Sequence, residues 1–146
     1  MTQRHAWAAI AVVIFLMGCS PAQLIVITGA WLRPPAPGLE VAAGYFDIVN
    51  HGKASIDLIG ARSNASGAIE IHTEMQDGDM MQMRQLDKVV LPPDQTVSFS
   101  PGATHLMLLE FSGVTSPRVA ITLLFSDGSQ QVVAFEMRSL SGANPS

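Results

Sequence analysis

The chain is expected to be all-β, a single antiparallel β-sandwich, and three observations lead to that expectation. Short apolar-rich segments recur with turn signals at intervals of roughly 8–12 residues, the spacing of sandwich strands. Beyond residue 19 no long segment carries the 3.6-residue period of a helix. The composition, 48% hydrophobic and 14% charged over 146 residues, gives enough apolar material for one real core and argues against disorder.

Residues 1–19 are set apart from the fold. Arg4 and His5 open a weakly positive start, and Trp7 to Met17 is an apolar run. That run is too short for a spanning helix, which needs about 20 residues. It closes on Leu16-Met17-Gly18-Cys19, which resembles the lipobox of bacterial lipoproteins. The resemblance implies lipidation at Cys19 and a site in the bacterial cell envelope, on the periplasmic face. Cys19 is the single cysteine, so the domain is expected to hold neither thiol nor disulfide. Residues 20–23 form a short tether, 24–138 the domain and 139–146 a polar tail.

The strands are expected in the following order. Leu24–Thr28 begins the domain. Trp31 to Gly38 holds three prolines and is expected to be neither helix nor central strand, because proline lacks a donor and fixes φ. Gly44–Asn50 is a strand stopped by His51-Gly52, and Ser55–Ala61 is another, followed by a polar loop to Gly67. Ile69 and Ile71 alternate with Glu70 and His72, which puts the isoleucines on the core and His72 on the opposite face. Met80–Arg84 returns, and Leu91-Pro92-Pro93-Asp94 turns the chain. Thr96–Ser100 follows with Val97 and Phe99 inward, then His105–Phe111 after Pro101-Gly102. Val119–Phe125 and Gln130–Met137 form a hairpin about Ser126-Asp127-Gly128-Ser129.

The stretch from Ile69 to Met107 carries the chemical signal. Five of the six methionines beyond residue 19 lie between Met75 and Met107, and His72 and His105 belong to the same stretch. Thioether sulfur and imidazole nitrogen suit Cu(I), a soft cation, better than Ca²⁺, Mg²⁺ or Mn²⁺. Asp77-Gly78 is a strong two-residue hairpin signal of type I′. With that loop Gln76 faces Asp79, and His72 falls directly opposite Met83. Opposed residues have Cβ atoms about 4.5–5.5 Å apart, close enough to share one ion. His105 and Met107, two apart, share a strand face. The candidate ligands are therefore His72, Met83, His105 and Met107, with Met81 as a spare donor on the face of Met83. Met75 and Met80 pair on the other face and are expected in the core, Met137 in packing, and His51 in a turn. Glu70, Glu74, Asp77 and Asp79 read as a solvated acidic rim, without the spacing of an EF-hand.

These residues resemble the periplasmic copper chaperones of the PCuAC family, whose pattern is His (or Met), ten residues, Met, twenty-one residues, His-x-Met. His72, Met83, His105 and Met107 meet all four positions. Trp31-Leu32-Arg33 before the proline loop, Tyr45, Asn50, Glu70-Ile71-His72, Met81-Gln82-Met83-Arg84 and Pro101-Gly102 agree as well. The resemblance spans roughly residues 24–137. It implies a cupredoxin-like Greek-key sandwich that binds one Cu(I) per chain. It also implies a copper acceptor in cytochrome oxidase assembly, with oxidase subunit II and Sco-type proteins as the candidates. Ala103 stands where the family usually has a second glycine, and the tail lacks the His and Met that some relatives use for Cu(II).

Other classes fit less well. A net charge of −4 gives no basic patch for nucleic acid. Blue-copper electron transfer needs a thiolate beside two histidines, and the domain has no cysteine. Ser63, Ser66 and Ser98 have no partnered His and Asp at a recognisable spacing, so the chain is not expected to be an enzyme. The competing reading is a non-catalytic Ig-like structural or adhesive module without a functional metal site.

Overall fold

The computed structural model describes residues 24–113 and 115–138; Cys19, the tether and the tail lie outside them. Ten strands follow one another: β1 (Ile25–Arg33), β2 (Ala42–Asn50), β3 (Ile56–Arg62), β4 (Ala68–Asp77), β5 (Met80–Leu86), β6 (Val89–Leu91), β7 (Thr96–Phe99), β8 (His105–Leu109), β9 (Arg118–Phe125) and β10 (Gln130–Met137). No helix occurs among the described residues. The all-β expectation holds.

The strands hydrogen-bond in the order β5-β4-β8-β2-β1-β10-β9-β3-β6, with β7 added on β2. All pairings are antiparallel except β1 with β10. Alternation in each strand sends one set of side chains inward: Leu32, Phe46, Ile48, Leu58, Ile71, Leu91, Phe99, Leu106, Leu108, Ile121, Leu123 and Phe135 join a single core. A sheet whose one face feeds one core must fold over on itself, and two features show it doing so. β1 pairs with β2 along most of its length but with β10 only at Trp31 and Leu32, beyond a register shift after Thr28 where Gly29 has φ +63°. Asn50, at the end of β2, reaches the far edge: its Nδ2 donates to the Leu91 carbonyl at 3.0 Å and to the Ala54 carbonyl at 2.8 Å.

Asn50 is 3% exposed, and its Oδ1 also accepts from the Gly52 N–H at 2.8 Å. Truncating it strands buried partners. Asn50→Ala is therefore expected to cost about 1–3 kcal/mol, the penalty of leaving buried polar groups unpaired. A urea midpoint unchanged from the parent chain would contradict this closure of the sandwich.

Three expectations need correction. Trp31–Arg33 belong to β1, an interior strand of the path, and the proline loop starts only at Pro34. Proline constrains its own position and the residue before it, so the strand runs up to Arg33 unhindered. β6 was not anticipated, because three residues ahead of Pro92 carry too short a pattern to show alternation. Met75 and Met80 are 47% and 65% exposed rather than in the core. They lie at the free end of the β4–β5 hairpin, where no second layer among the described residues covers them. Met137, as expected, packs against the core.

Candidate metal centre

The hairpin that carries half of the candidate donors turns at Gly78-Asp79, not at Asp77-Gly78. Asp77 pairs with Met80, and Gly78 takes φ +61° while Asp79 is not among the residues with positive φ. Glycine alone at positive φ in the first central position is the type II′ arrangement. The register consequently moves by two. His72 faces Gln85, and Met83 faces Glu74. A shift of two leaves every side chain on its face, because strand alternation has period two. Met83 and Met81 thus stay on the His72 side, with Met83 the diagonal neighbour of His72 rather than its direct partner.

The direct partner of His72 is His105. β4 and β8 pair antiparallel with His72 opposite His105 and Glu70 opposite Met107. The two imidazoles have centroids 6.2 Å apart. On the other side of β8, Met107 pairs with Ala43 and Leu106 with Gly44 of β2, so the next step brings Tyr45 beside His105, ring centroids 6.2 Å apart. Trp31 follows on β1 at 4.6 Å from Tyr45. Four rings from four adjacent strands make a row on the sheet surface facing away from the core. Gly44, between Ala43 and Tyr45, allows this close approach on its core side: a Cβ there would sit 3.2 Å from Leu32 and 3.3 Å from Leu106.

The loop Pro34–Leu39 lies beside the His105 part of this row. Pro34, Pro35, Pro37 and Leu39 line a cleft of ≈ 620 Å³ together with Met83, His105 and Met107. His72 lies next to the cleft through its pairing with His105 and is not part of its lining. A second cleft of ≈ 680 Å³, at the other end of β1 near Leu24, Asn50 and Phe125, has no His or Met in its lining. Of these two clefts, one alone is lined by His and Met. His105 is 4% exposed, whereas Met83 is 51% and Met81 61% exposed, so one side of the site is anchored and the other is open to solvent.

Hydrogen bonds orient both imidazoles. His105 Nδ1 donates to the Ala103 carbonyl at 3.0 Å, which leaves Nε2 as its free lone pair. His72 Nε2 donates to Glu70 Oε2 at 2.7 Å, which leaves Nδ1. That Nδ1 is buried and has no partner. An unsatisfied buried nitrogen costs about 1–3 kcal/mol, and a bound cation would satisfy it. Carboxylate or carbonyl partners on the second ring nitrogen are the usual supports of metal-bound histidines. Glu70, read from the sequence as solvated rim, holds His72 in that manner; its place two residues before His72, on the same face, was the available signal. Burial pushes the Tyr45 hydroxyl above the usual tyrosine range; the Arg33 charge opposes that and Glu74 adds to it. Arg33 lies 5.6 Å from the Tyr45 ring centre.

Among the described residues, no three His, Cys, Asp or Glu side chains are grouped to hold a metal ion. The side chains beside the two histidines that could add donors are thioethers. Two imidazole nitrogens with free lone pairs, with Met83 and Met107 on the same face, would make a neutral donor set suited to a soft monovalent cation. Met81 stands on the same face, opposite Gln76 and nearer the turn.

Comparison with known proteins agrees with this architecture. The family model described as LpqE-like matches residues 25–137. A protein of Leifsonia xyli subsp. xyli named "Putative lipoprotein Lxx21020" is 30% identical over 124 residues, covering 81% of this chain and 72% of that protein. The copper-bound PCuAC domain from PmoF2 superposes with a TM-score of 0.68 at 24% identity, over 80% of this chain and 93% of that one. The solution structure of CuI-DR1885 from Deinococcus radiodurans superposes at 0.62 with 24% identity, over 84% and 83%. At these identities the two structures establish a shared fold.

Proposed function

We propose that this chain, which belongs to the LpqE-like family, is a Cu(I) carrier of the cell envelope that holds one ion between His72, His105, Met83 and Met107. The observation that carries the reading is the pairing of His72 with His105 across β4 and β8, each ring held by a hydrogen bond that frees one nitrogen. The copper-bound state of a PCuAC domain and of DR1885, which share the fold, supports copper as the cargo. Neutral thioether and imidazole donors hold Cu(I) less tightly than thiolates do, which suits transfer over storage. The chain's own part is to keep the histidines rigid and dry while Met83 stays accessible at the exposed hairpin. Incoming donors from an acceptor can then replace ligands one at a time from that side. We place the acceptor in cytochrome oxidase assembly, with subunit II or a Sco-type protein as the candidates, and the chain on the periplasmic face through a lipid at Cys19. The lipoprotein name of the Leifsonia relative supports the anchor.

Competition with a Cu(I) chelator tests the ligand set. Met-to-Leu changes conserve volume and usually cost less than about 1.5 kcal/mol in packing, yet they delete the sulfur. Met83→Leu and Met107→Leu are each expected to fold normally and to weaken Cu(I) binding at least roughly tenfold, or about 1.4 kcal/mol. Met75→Leu, on the opposite face of the hairpin, and Met137→Leu, packed on the core, are the controls and should bind as the parent chain does. Unchanged affinity in both Met83→Leu and Met107→Leu would defeat the proposed site.

A further inference from the structure

The free edge of β5 is the remaining feature of the site. β5 ends the hydrogen-bonded path, and among the described residues its backbone makes no hydrogen bond except to β4. Its residues Met80 to Gln85 are all exposed. Edge strands are ordinarily guarded by proline, charged side chains, bulges or shortness. β5 has seven residues, no proline, a single charge, Arg84, on the face away from His72, and a register with β4 that runs without a shift from Asp77↔Met80 to Ile71↔Leu86.

The direction of the free backbone groups follows from the turn. In a two-residue hairpin the flanking pair, Asp77 and Met80, exchanges both hydrogen bonds, and such pairs then alternate with pairs that exchange none. Glu74 and Met83 fall in the second class. The Glu74 N–H agrees, pointing away from β5 to the Ala103 carbonyl at 3.3 Å. The backbone N–H and C=O of Met81, Met83 and Gln85 therefore point out along the open edge. These are the residues whose side chains lie on the face of His72.

We infer that the outer edge of β5 is a strand-addition site, on which an extended, cationic segment of the copper acceptor pairs with Met81, Met83 and Gln85. The inference rests on the Cu(I) reading above. Strand addition takes affinity from backbone hydrogen bonds and specificity from alternate side chains. It sets every second side chain of the added strand about 4.5–5.5 Å from Met81 or Met83, so a Cys, Met or His there arrives beside the metal donors. The charge of the rim selects the partner. Glu74 stands across from Met83, Asp77 precedes the turn and Asp79 lies within it, while Arg84 of β5 pairs with Thr73 and points to the other face. A positively charged segment is attracted to this edge. A second copy of this chain carries the same net negative charge, −4, rather than a complementary one.

The test uses the whole chain, with and without Cu(I), and a capped peptide that alternates lysine with methionine. Peptide binding is expected to slow hydrogen exchange at the Met81, Met83 and Gln85 amides. The same peptide N-methylated on alternate backbone nitrogens is expected to bind at least tenfold more weakly. Gln85→Pro deletes one outward donor at a residue that stands opposite His72 but is not itself a proposed ligand, and proline is tolerated on an edge strand where its nitrogen faces solvent. It should weaken the peptide at least tenfold, with Cu(I) affinity kept, while Gln85→Ala should bind normally. If Gln85→Pro does not fold, the N-methylated peptide carries the same contrast. Binding without protection at these amides, or equal binding of the N-methylated peptide, overturns the inference. So does protection that rises with protein concentration in the absence of peptide, which would mark a second copy on the edge. Cu(I) affinity is measured separately, so a failed copper site and a failed docking edge give different results.

Discussion

Removing both imidazoles, in the double variant His72→Ala with His105→Ala, is expected to weaken Cu(I) binding at least about a hundredfold, roughly 2.7 kcal/mol. Each ring offers one free nitrogen, His105 by donating to the Ala103 carbonyl and His72 by donating to Glu70. Without them only the thioethers remain, one of them half exposed on an edge strand. The two positions touch across adjacent strands, so their single effects need not add. Each single variant should lose at least roughly tenfold. Stability provides an internal check. His72 Nδ1 is buried without a partner, so its removal should cost the copper-free chain little, and a large loss of copper affinity would then be a ligand effect. Chelator competition that finds the double variant within a few-fold of the parent chain would remove the histidines from the site.

Phe135→Ala is expected to have the largest effect on folding, about 3–5 kcal/mol. Phe135 is fully buried on β10 and meets Phe46 of β2 edge to face, centroids 5.6 Å apart. Phe46 in turn stacks on Phe99 of β7 at 4.3 Å. Phe135 therefore links the two halves of the folded-over sheet, and its loss leaves a cavity where those halves meet. Met80→Ala, at a position 65% exposed, should change stability by no more than about 0.5 kcal/mol, as surface substitutions usually do. Urea unfolding of the two variants decides the point. A loss below about 1 kcal/mol for Phe135→Ala would mean that the layers are not joined through this ring.

The β4–β5 hairpin shows how far local pattern reaches. Ile69 and Ile71 alternate with Glu70 and His72, and the structure turns Ile71 to the core and His72 to the other face. That much is a matter of the two-residue period of a strand. The turn is different. Asp77-Gly78 and Gly78-Asp79 are both acceptable two-residue loops, so local preference cannot choose between them, and the choice moves the pairing of His72 from Met83 to Gln85. Because the two alternatives differ by two, the faces survived the change of partner. Glu70 shows a second kind of limit. Its chemistry was visible, but whether a surface carboxylate is solvated or bound to a neighbouring imidazole depends on the cover above it.

The sequence by itself determined the donor types, their assignment to strand faces and the all-β class, since each follows from residue chemistry and alternation along a single segment. It also determined that His105 and Met107 would stand together, two apart on one strand. Tertiary structure decided which segments meet. His72 faces His105 because β4 lies next to β8, and Tyr45 backs His105 because β2 lies on its other side. The proline loop lines the cleft because β1 and β2, which it joins, run side by side to its base at Arg33 and Ala43. Met75 and Met80 are exposed because, among the described residues, β5 has no neighbour beyond it and no layer above. Neighbour relations of this kind depend on long-range closure of the sheet around one core, where the burial of Phe46, Leu106 and Phe135 outweighs any local preference.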